Sequence, residues 1–235
     1  MATVLTVPPK TAQVFPPTKI YYPESDGKPM AETDMHADLL IDLRTALTDY
    51  FRDAPDVYVS GNLLLYFEEG DPTASVAPDV FVVKGVTKRK RRVYKVWEEG
   101  KAPDWVIEIT SRSTRAEDLG IKRGLYALLN VTEYFIFDPL QEYLKPRLQG
   151  YRLHKDNYLP IAPDAQGKFH SVILNLDLQT VNNELRLYDP RTNHYLLTPL
   201  EAQALARVET ATRQNAEAEV ARLRAELQRL SKEQK

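Results

Sequence analysis

Between Ala102 and Asp138 the chain reads APDWVIEITSRSTRAEDLGIKRGLYALLNVTEYFIFD, an order of residues that few architectures can accept. Trp105 to Ile109 is a short apolar run rich in β-branched and aromatic residues, the pattern of a buried strand. One acid, Glu108, interrupts it. A carboxylate in such a strand is costly to bury alone and requires a cation, a metal or a proton beside it. A Ser/Thr/Arg loop at 111–115 leads into a helical pattern from about Ala116 to Leu129. A second apolar run, Tyr134 to Phe137, stops at Asp138-Pro139. The order is strand–helix–strand, with an acid where none is expected.

Composition narrows the chemistry. The chain has 235 residues, 43% of them hydrophobic, enough for one sizeable core. Lys+Arg 31 against Asp+Glu 33 gives a net charge of -2, which excludes a strongly basic coat but not a local basic site. There is no cysteine, hence no disulfide framework, thiolate nucleophile or Cys-based zinc site. Catalysis would have to use oxygen and nitrogen groups. No run of about 18 apolar residues is present, and MATVLTVPPK lacks the basic and apolar regions of a signal peptide. A cytoplasmic protein is expected.

Along the chain, residues 1–29 carry Pro8, Pro9, Pro16, Pro17, Pro23 and Pro29 and read as an N-terminal arm. Thr33 is placed to cap a helix whose stripe is Leu39, Leu40, Leu43, Leu47, Tyr50 and Phe51, with His36 on the same stripe. Val57–Ser60 and Leu63–Phe67 flank Gly61-Asn62 and predict a hairpin. Ser75 to Lys84 predicts one further strand, and a basic connection holding Lys88, Arg89, Lys90, Arg91 and Arg92 follows it. After Asp138 short strands are expected over Tyr143 to Leu153, Tyr158 to Ile161, Val172 to Leu178, Leu185 to Tyr188 and Tyr195 to Leu197, as a sheet extension over one face. The main domain would span 30–199. From 200 to 235 Ala, Glu, Gln, Arg and Leu dominate, and a long helix is predicted. Val220, Leu223, Leu227 and Leu230 form a short a/d seam able to pair with a second copy, so a homodimer is the expected assembly. Upstream, Thr212, Asn215 and Glu219 break that heptad count, and a solvated single helix is the alternative.

Three residues can converge on chemistry: Asp79, after Pro78 at a strand start; Glu108; and Lys122, on the helix that follows. If the two strands are neighbours, both acids reach one point. Two carboxylates from adjacent strands suit a hard cation such as Mg²⁺, or Mn²⁺ in its place. An ammonium nearby can orient water or neutralise phosphate charge. Asp104 is a rival acid on the same strand face, but it lies about 13 Å from Glu108 at roughly 3.3 Å per residue. Glu32 and His36 are additional candidates, with helix capping and core packing as the plainer readings. Ser113, Thr114 and Arg115 can contact phosphates or serve only as a polar loop. The run Lys88–Arg92 can lie along a DNA backbone or be a solvated loop.

The segments APDVFVV (77–83), PDWVIEITSRSTRAEDLGIKRGLYA (103–127) and NVTEYFIFDP (130–139) resemble the Uma-type family of restriction endonucleases in the PD-(D/E)XK nuclease superfamily. The resemblance extends over roughly residues 30 to 200. It implies an α/β fold with a restriction-endonuclease-like core: a mixed, mostly antiparallel sheet flanked by helices, with the long C-terminal helix appended. It also implies a divalent-metal DNA endonuclease in which Asp79 and Glu108 hold the metal and Lys122 assists the nucleophile. In the superfamily the lysine usually stands two positions after the acid, where this chain has Thr110; the family places it on the next helix. That departure keeps open a non-catalytic nucleic-acid-binding module on the same fold. A protein that binds partners through its C-terminal helix is the third reading.

Overall fold

Thr33 sets the first boundary in the computed structural model, which describes residues 20–25, 27, 33–111 and 114–233. Its side chain accepts from the His36 N–H at 3.3 Å and so caps α1 (Asp34–Tyr50), satisfying a donor that a helix start leaves unpaired. Strands β1 (Val57–Ser60), β2 (Leu65–Tyr66), β3 (Ser75–Val76), β4 (Val80–Lys84) and β5 (Tyr94–Lys95) follow, then the single turn α2 (Val96–Glu99). The central unit is β6 (Trp105–Ile109), a π-helical stretch Glu117–Lys122 running straight into α3 (Arg123–Leu128), and β7 (Glu133–Phe137). Next come β8 (Leu148–His154), β9 (Asn157–Pro160), β10 (Phe169–Ser171), β11 (Leu176–Val181), β12 (Glu184–Asp189), β13 (His194–Tyr195) and α4 (Pro199–Glu233). Most of the N-terminal arm lies outside the described residues. No helix among those described is long and apolar enough to cross a membrane.

The main sheet has six strands in the order β1-β4-β6-β7-β8-β9. Only β6 and β7 run parallel, because a helix carries the chain over between them; all other neighbours are antiparallel. Side-chain alternation then builds two cores. Val80, Val82, Trp105, Ile107, Phe135 and Phe137 pack with α1 and with a second, four-stranded sheet, β10-β11-β12-β13. Phe81, Val83, Val106, Tyr134 and Ile136 face the other way and pack with Tyr126 of α3. By that alternation Glu108 belongs to the α3 side.

The expected hairpin about Gly61-Asn62 does not form. β1 pairs with β4, while β2 joins β3 and β5 in a separate three-stranded sheet. Asn62, at φ 49, turns the chain from one sheet to the other, and its N–H donates to the Pro78 carbonyl at 2.9 Å. A Cβ on Gly61 would come within 2.2 Å of the Asp79 carbonyl oxygen. The glycine is there for close approach rather than for a reversal. The predicted strand 75–84 is likewise divided at Ala77-Pro78-Asp79 into β3 and β4.

Two buried carboxylates account for the other boundary changes. Asp138 accepts from the N–H groups of Leu140, Tyr143 and Leu144 at 3.1, 2.6 and 2.9 Å, which folds a loop where a strand from Tyr143 is expected. Glu133 accepts from Ser171 Oγ at 2.5 Å and from the Val172 N–H at 3.1 Å, and it pairs with Arg152 at 2.8 Å. The chain therefore turns between β10 and β11 instead of running straight through 172–178.

Gly61→Ala should destabilise the fold by about 1–3 kcal/mol in denaturant unfolding, since backbone must move to admit the methyl group. Gly124→Ala, with open space around the added carbon, should raise stability by up to about 1 kcal/mol. Equal effects at the two positions would contradict the packing around Asp79.

Candidate active site

Register brings the two acids together. β4 and β6 pair Val80 with Ile107, and one further step along that ladder sets Asp79 across from Glu108. The backbone then ties them reciprocally. The Ile109 N–H donates to Asp79 Oδ2 at 2.6 Å, and the Asp79 N–H donates to Glu108 Oε2 at 3.4 Å. His36, buried on α1, holds Nε2 at 3.4 Å from Asp79 Oδ2. Asp79 keeps 15% side-chain exposure, whereas Glu108 has 0%.

The crossover helix closes the site from the other side. Lys122 Nζ lies 3.0 Å from Glu108 Oε2 and 3.0 Å from Asp118 Oδ1. Tyr126 donates its hydroxyl to Glu108 Oε1 at 2.5 Å, and the Tyr134 hydroxyl donates to the Asp118 carbonyl at 2.9 Å. Asp118, Lys122 and Tyr126 recur every four residues and so share one helix face. Asp118 and Tyr126 are site residues that the sequence pattern did not single out. The signal was their four-residue spacing on either side of Lys122. Arg123 turns away as helical geometry requires, its guanidinium 4.2 Å from the Tyr151 ring centroid.

Burial pushes the Glu108 carboxyl up to about 8; Lys122 opposes the shift, and the charges of Asp79 and Asp118 add to it. Asp118 is also raised, again by burial against the pull of Lys122. Burial alone would lower Lys122, but Glu108, Asp118 and Asp79 outweigh it and raise the ammonium well above its ordinary value. Lys122 therefore stays charged.

Among the described residues no three His, Cys, Asp or Glu side chains stand grouped to hold a metal ion. A hard cation that retains most of its water needs only one or two carboxylates, however, and Asp79 and Glu108 supply two. The Asp118 carboxylate is buried, its charge met by the Lys122 ammonium at 3.0 Å and eased by the Thr114 side chain. Three acid side chains thus stand around one ammonium, and the proton that burial favours on Glu108 would give way if Asp79 and Glu108 held a divalent cation.

The remaining candidates divide. Glu32 and Ser113 lie outside the described residues. Arg115 is exposed, 5.0 Å from the Tyr143 ring centroid, and Thr114 Oγ1 accepts from the Ser111 N–H at 3.1 Å. The basic run is not one surface. Lys88 donates to the Phe51 and Arg52 carbonyls at 2.7 and 3.0 Å and so caps the end of α1. Arg91 is turned inward, bidentate to Glu99 at 2.8 and 2.6 Å and 4.1 Å from the Tyr58 ring centroid. Both cations thus have partners within the protein. Lys88, Arg89, Lys90 and Arg92 are exposed, Arg89 paired with Glu99 and Arg92 with Glu24. Asp104 accepts from the Lys84 N–H at 2.7 Å and pairs with Lys101 at 2.8 Å, away from the site. A groove of about 480 Å³ between α1 and β12 is lined largely by apolar side chains and includes none of the three site residues.

Known proteins bear on this geometry. The family model Uma2, described as putative restriction endonuclease, matches residues 13–187. A solved structure of a putative nuclease belonging to DUF820 from Anabaena variabilis is similar over 61% of this chain and 78% of its own, with 18% identity and a TM-score of 0.44. No curated protein matches the sequence.

A group whose pKa is raised by folding contributes its stability fully below its unfolded value and loses it as pH climbs through the folded one. For Glu108 that window runs from its ordinary 4.5 to about 8. The protein without added metal should lose stability across this range, and Glu108→Gln should flatten the slope. The check is denaturant unfolding at a series of pH values. Parallel wild-type and variant curves would mean that Glu108 ionises normally.

Proposed function

This chain belongs to the Uma2 family, described as putative restriction endonuclease, and from that premise we propose that it is a divalent-metal-dependent endonuclease hydrolysing DNA phosphodiester bonds. The observation that carries the proposal is the convergence of Asp79, Glu108 and Lys122 from two paired strands and the crossover helix. Asp79 and Glu108 would hold the cation, Mg²⁺ or Mn²⁺. When bound, the cation supplies charge that polarises the scissile phosphate and acidifies the attacking water. Every other task falls to side chains of this chain.

Lys122 keeps its proton at Nζ and presents it to a phosphate oxygen or to the attacking water, while Asp118 holds the ammonium in place. Tyr126 fixes the rotamer of Glu108 from inside the core, and the Ile109 N–H with His36 fixes Asp79. Arg115 at the helix start would bind the flanking phosphate, and Ser113, two positions earlier in the sequence, is the other candidate for it. Arg89, Lys90 and Arg92 would meet the DNA backbone further out, where each contact makes affinity fall with salt. A non-catalytic nucleic-acid-binding module remains the second reading, favoured by Thr110 at the strand position where the superfamily usually carries lysine.

Plasmid incubated with Mg²⁺ or Mn²⁺ should be cut by the wild type. Asp79→Ala and Glu108→Ala should lower the rate by at least about 10²-fold, and Lys122→Ala by about 10²-fold, within the range that a positioned proton donor supplies. Equal cutting by wild type and all three variants would discard the site. Salt-sensitive DNA binding and metal binding by calorimetry, with no turnover, would establish the second reading instead.

A further inference from the structure

The helix α4 is anchored at one end only. Thr198 and Glu201 form a capping box: the Thr198 N–H donates to Glu201 Oε2 at 2.8 Å, and the Glu201 N–H donates to Thr198 Oγ1 at 3.3 Å. Arg186 of β12 clamps the same Glu201 carboxylate at 2.9 and 2.8 Å. Beyond that anchor every described residue from 202 to 232 is exposed. The helix thus leaves the domain in a fixed direction and carries its side chains into solvent over about 45 Å at roughly 1.5 Å per residue.

Its apolar residues are not scattered. Val220, Leu223, Leu227 and Leu230 are exposed by 46, 47, 67 and 45%, at steps of three, four and three. Upstream, Leu205 and Val208 are 48 and 63% exposed. A strict heptad count loses them, but Thr212 and Ala216 connect the two groups through steps of four. That is a stutter, the four-residue insertion by which coiled coils unwind locally. At about 100° per residue the whole row stays inside an arc of roughly 120°, so it is one continuous seam.

The charges beside the seam indicate what covers it. Glu219 and Glu226 lie along one flank, Arg213 and Arg224 along the other. In a parallel pair the two flanks meet, and Glu219 of each helix faces Arg224 of the other, five positions ahead. In an antiparallel pair each flank would meet its own kind, acid against acid. Glu219 now pairs with Arg222 on the surface, where both side chains are at least half exposed and the bond is worth little, so it is readily exchanged. Val at an a position with Leu at d also favours two parallel strands.

We propose that α4 is the docking surface for a second copy of this chain, joined as a parallel two-stranded coiled coil along residues 205–230. Both helices leave their domains at Thr198, so the pairing brings the two domains to the same end of the coil, side by side. The inference is independent of catalysis.

Sedimentation equilibrium of the full chain should give twice the 26.9 kDa chain mass at tens of micromolar. Leu223→Glu with Leu227→Glu should return it to the single-chain mass with unchanged domain melting, since both positions are exposed. The chain has no cysteine of its own, so Leu223→Cys reports orientation directly. It should cross-link to itself under oxidation. Glu219→Arg should weaken the dimer at least tenfold, and adding Arg224→Glu should restore it. A monomeric wild type, or a dimer surviving the double Glu substitution, would overturn the interface. Cross-linking only between Leu223→Cys and Leu227→Cys chains would overturn the parallel arrangement.

Discussion

A carboxylate with no exposure, set in the middle of the central sheet, is the constraint on which the molecule depends. Left alone, an ionised Glu108 would cost several kcal/mol, so the fold must deliver partners to it. It does so from three directions: Lys122 and Tyr126 from the crossover helix, and the Asp79 N–H from β4. Each delivery requires a specific register. A one-residue slip of β6 would turn Glu108 toward α1 and bring Ile107 or Ile109 to the lysine. Fold specificity and site geometry are therefore the same requirement here.

The ammonium comes from a helix rather than from the strand, and the helix is shaped for it. Thr110 shares the strand face of Glu108 and is buried, so a lysine there would crowd a second ammonium into the same corner. Lys122 instead descends from a π-helical stretch, a rare form that frequently occurs at functional sites. Its four-residue spacing to Asp118 and Tyr126 then supplies an acid for the lysine and a hydroxyl for the glutamate from a single face. Conflicting demands are met by dividing the polar groups between two elements, each with its own apolar backing.

How much of this was legible in the sequence depended on the range of the interaction. Periodicity and composition set α1, β6, α3, β7 and α4 because those signals are local, whereas the mixed, mostly antiparallel sheet was implied by the family resemblance and not by spacing. Glu108 and Asp79 were legible as acids out of place. The Gly61-Asn62 pair was misleading, since a tight reversal and a close approach to another strand use the same residue types. Only the Asp79 carbonyl, eighteen positions on, distinguishes them. The break after Ser171 was invisible for the same reason, because Glu133, far off in sequence, captures the backbone donors there, whereas before Leu148 the nearby Asp138 folds the loop locally.

Charge shows the limit most sharply. Counted along the chain, Lys88 to Arg92 is a block of five cations; in space, Lys88 caps α1 and Arg91 is consumed by Glu99 and Tyr58. Meanwhile the site corner gathers Asp79, Glu108 and Asp118 around one ammonium, an imbalance that no composition reveals. A phosphodiester approaching that corner carries one more negative charge, and at contact distance unscreened like charges repel by several kcal/mol. Lys122 is already shared between two carboxylates and cannot offset the approach by itself. On the proposed function, Asp79 and Glu108 would hold additional positive charge there before a phosphate comes close.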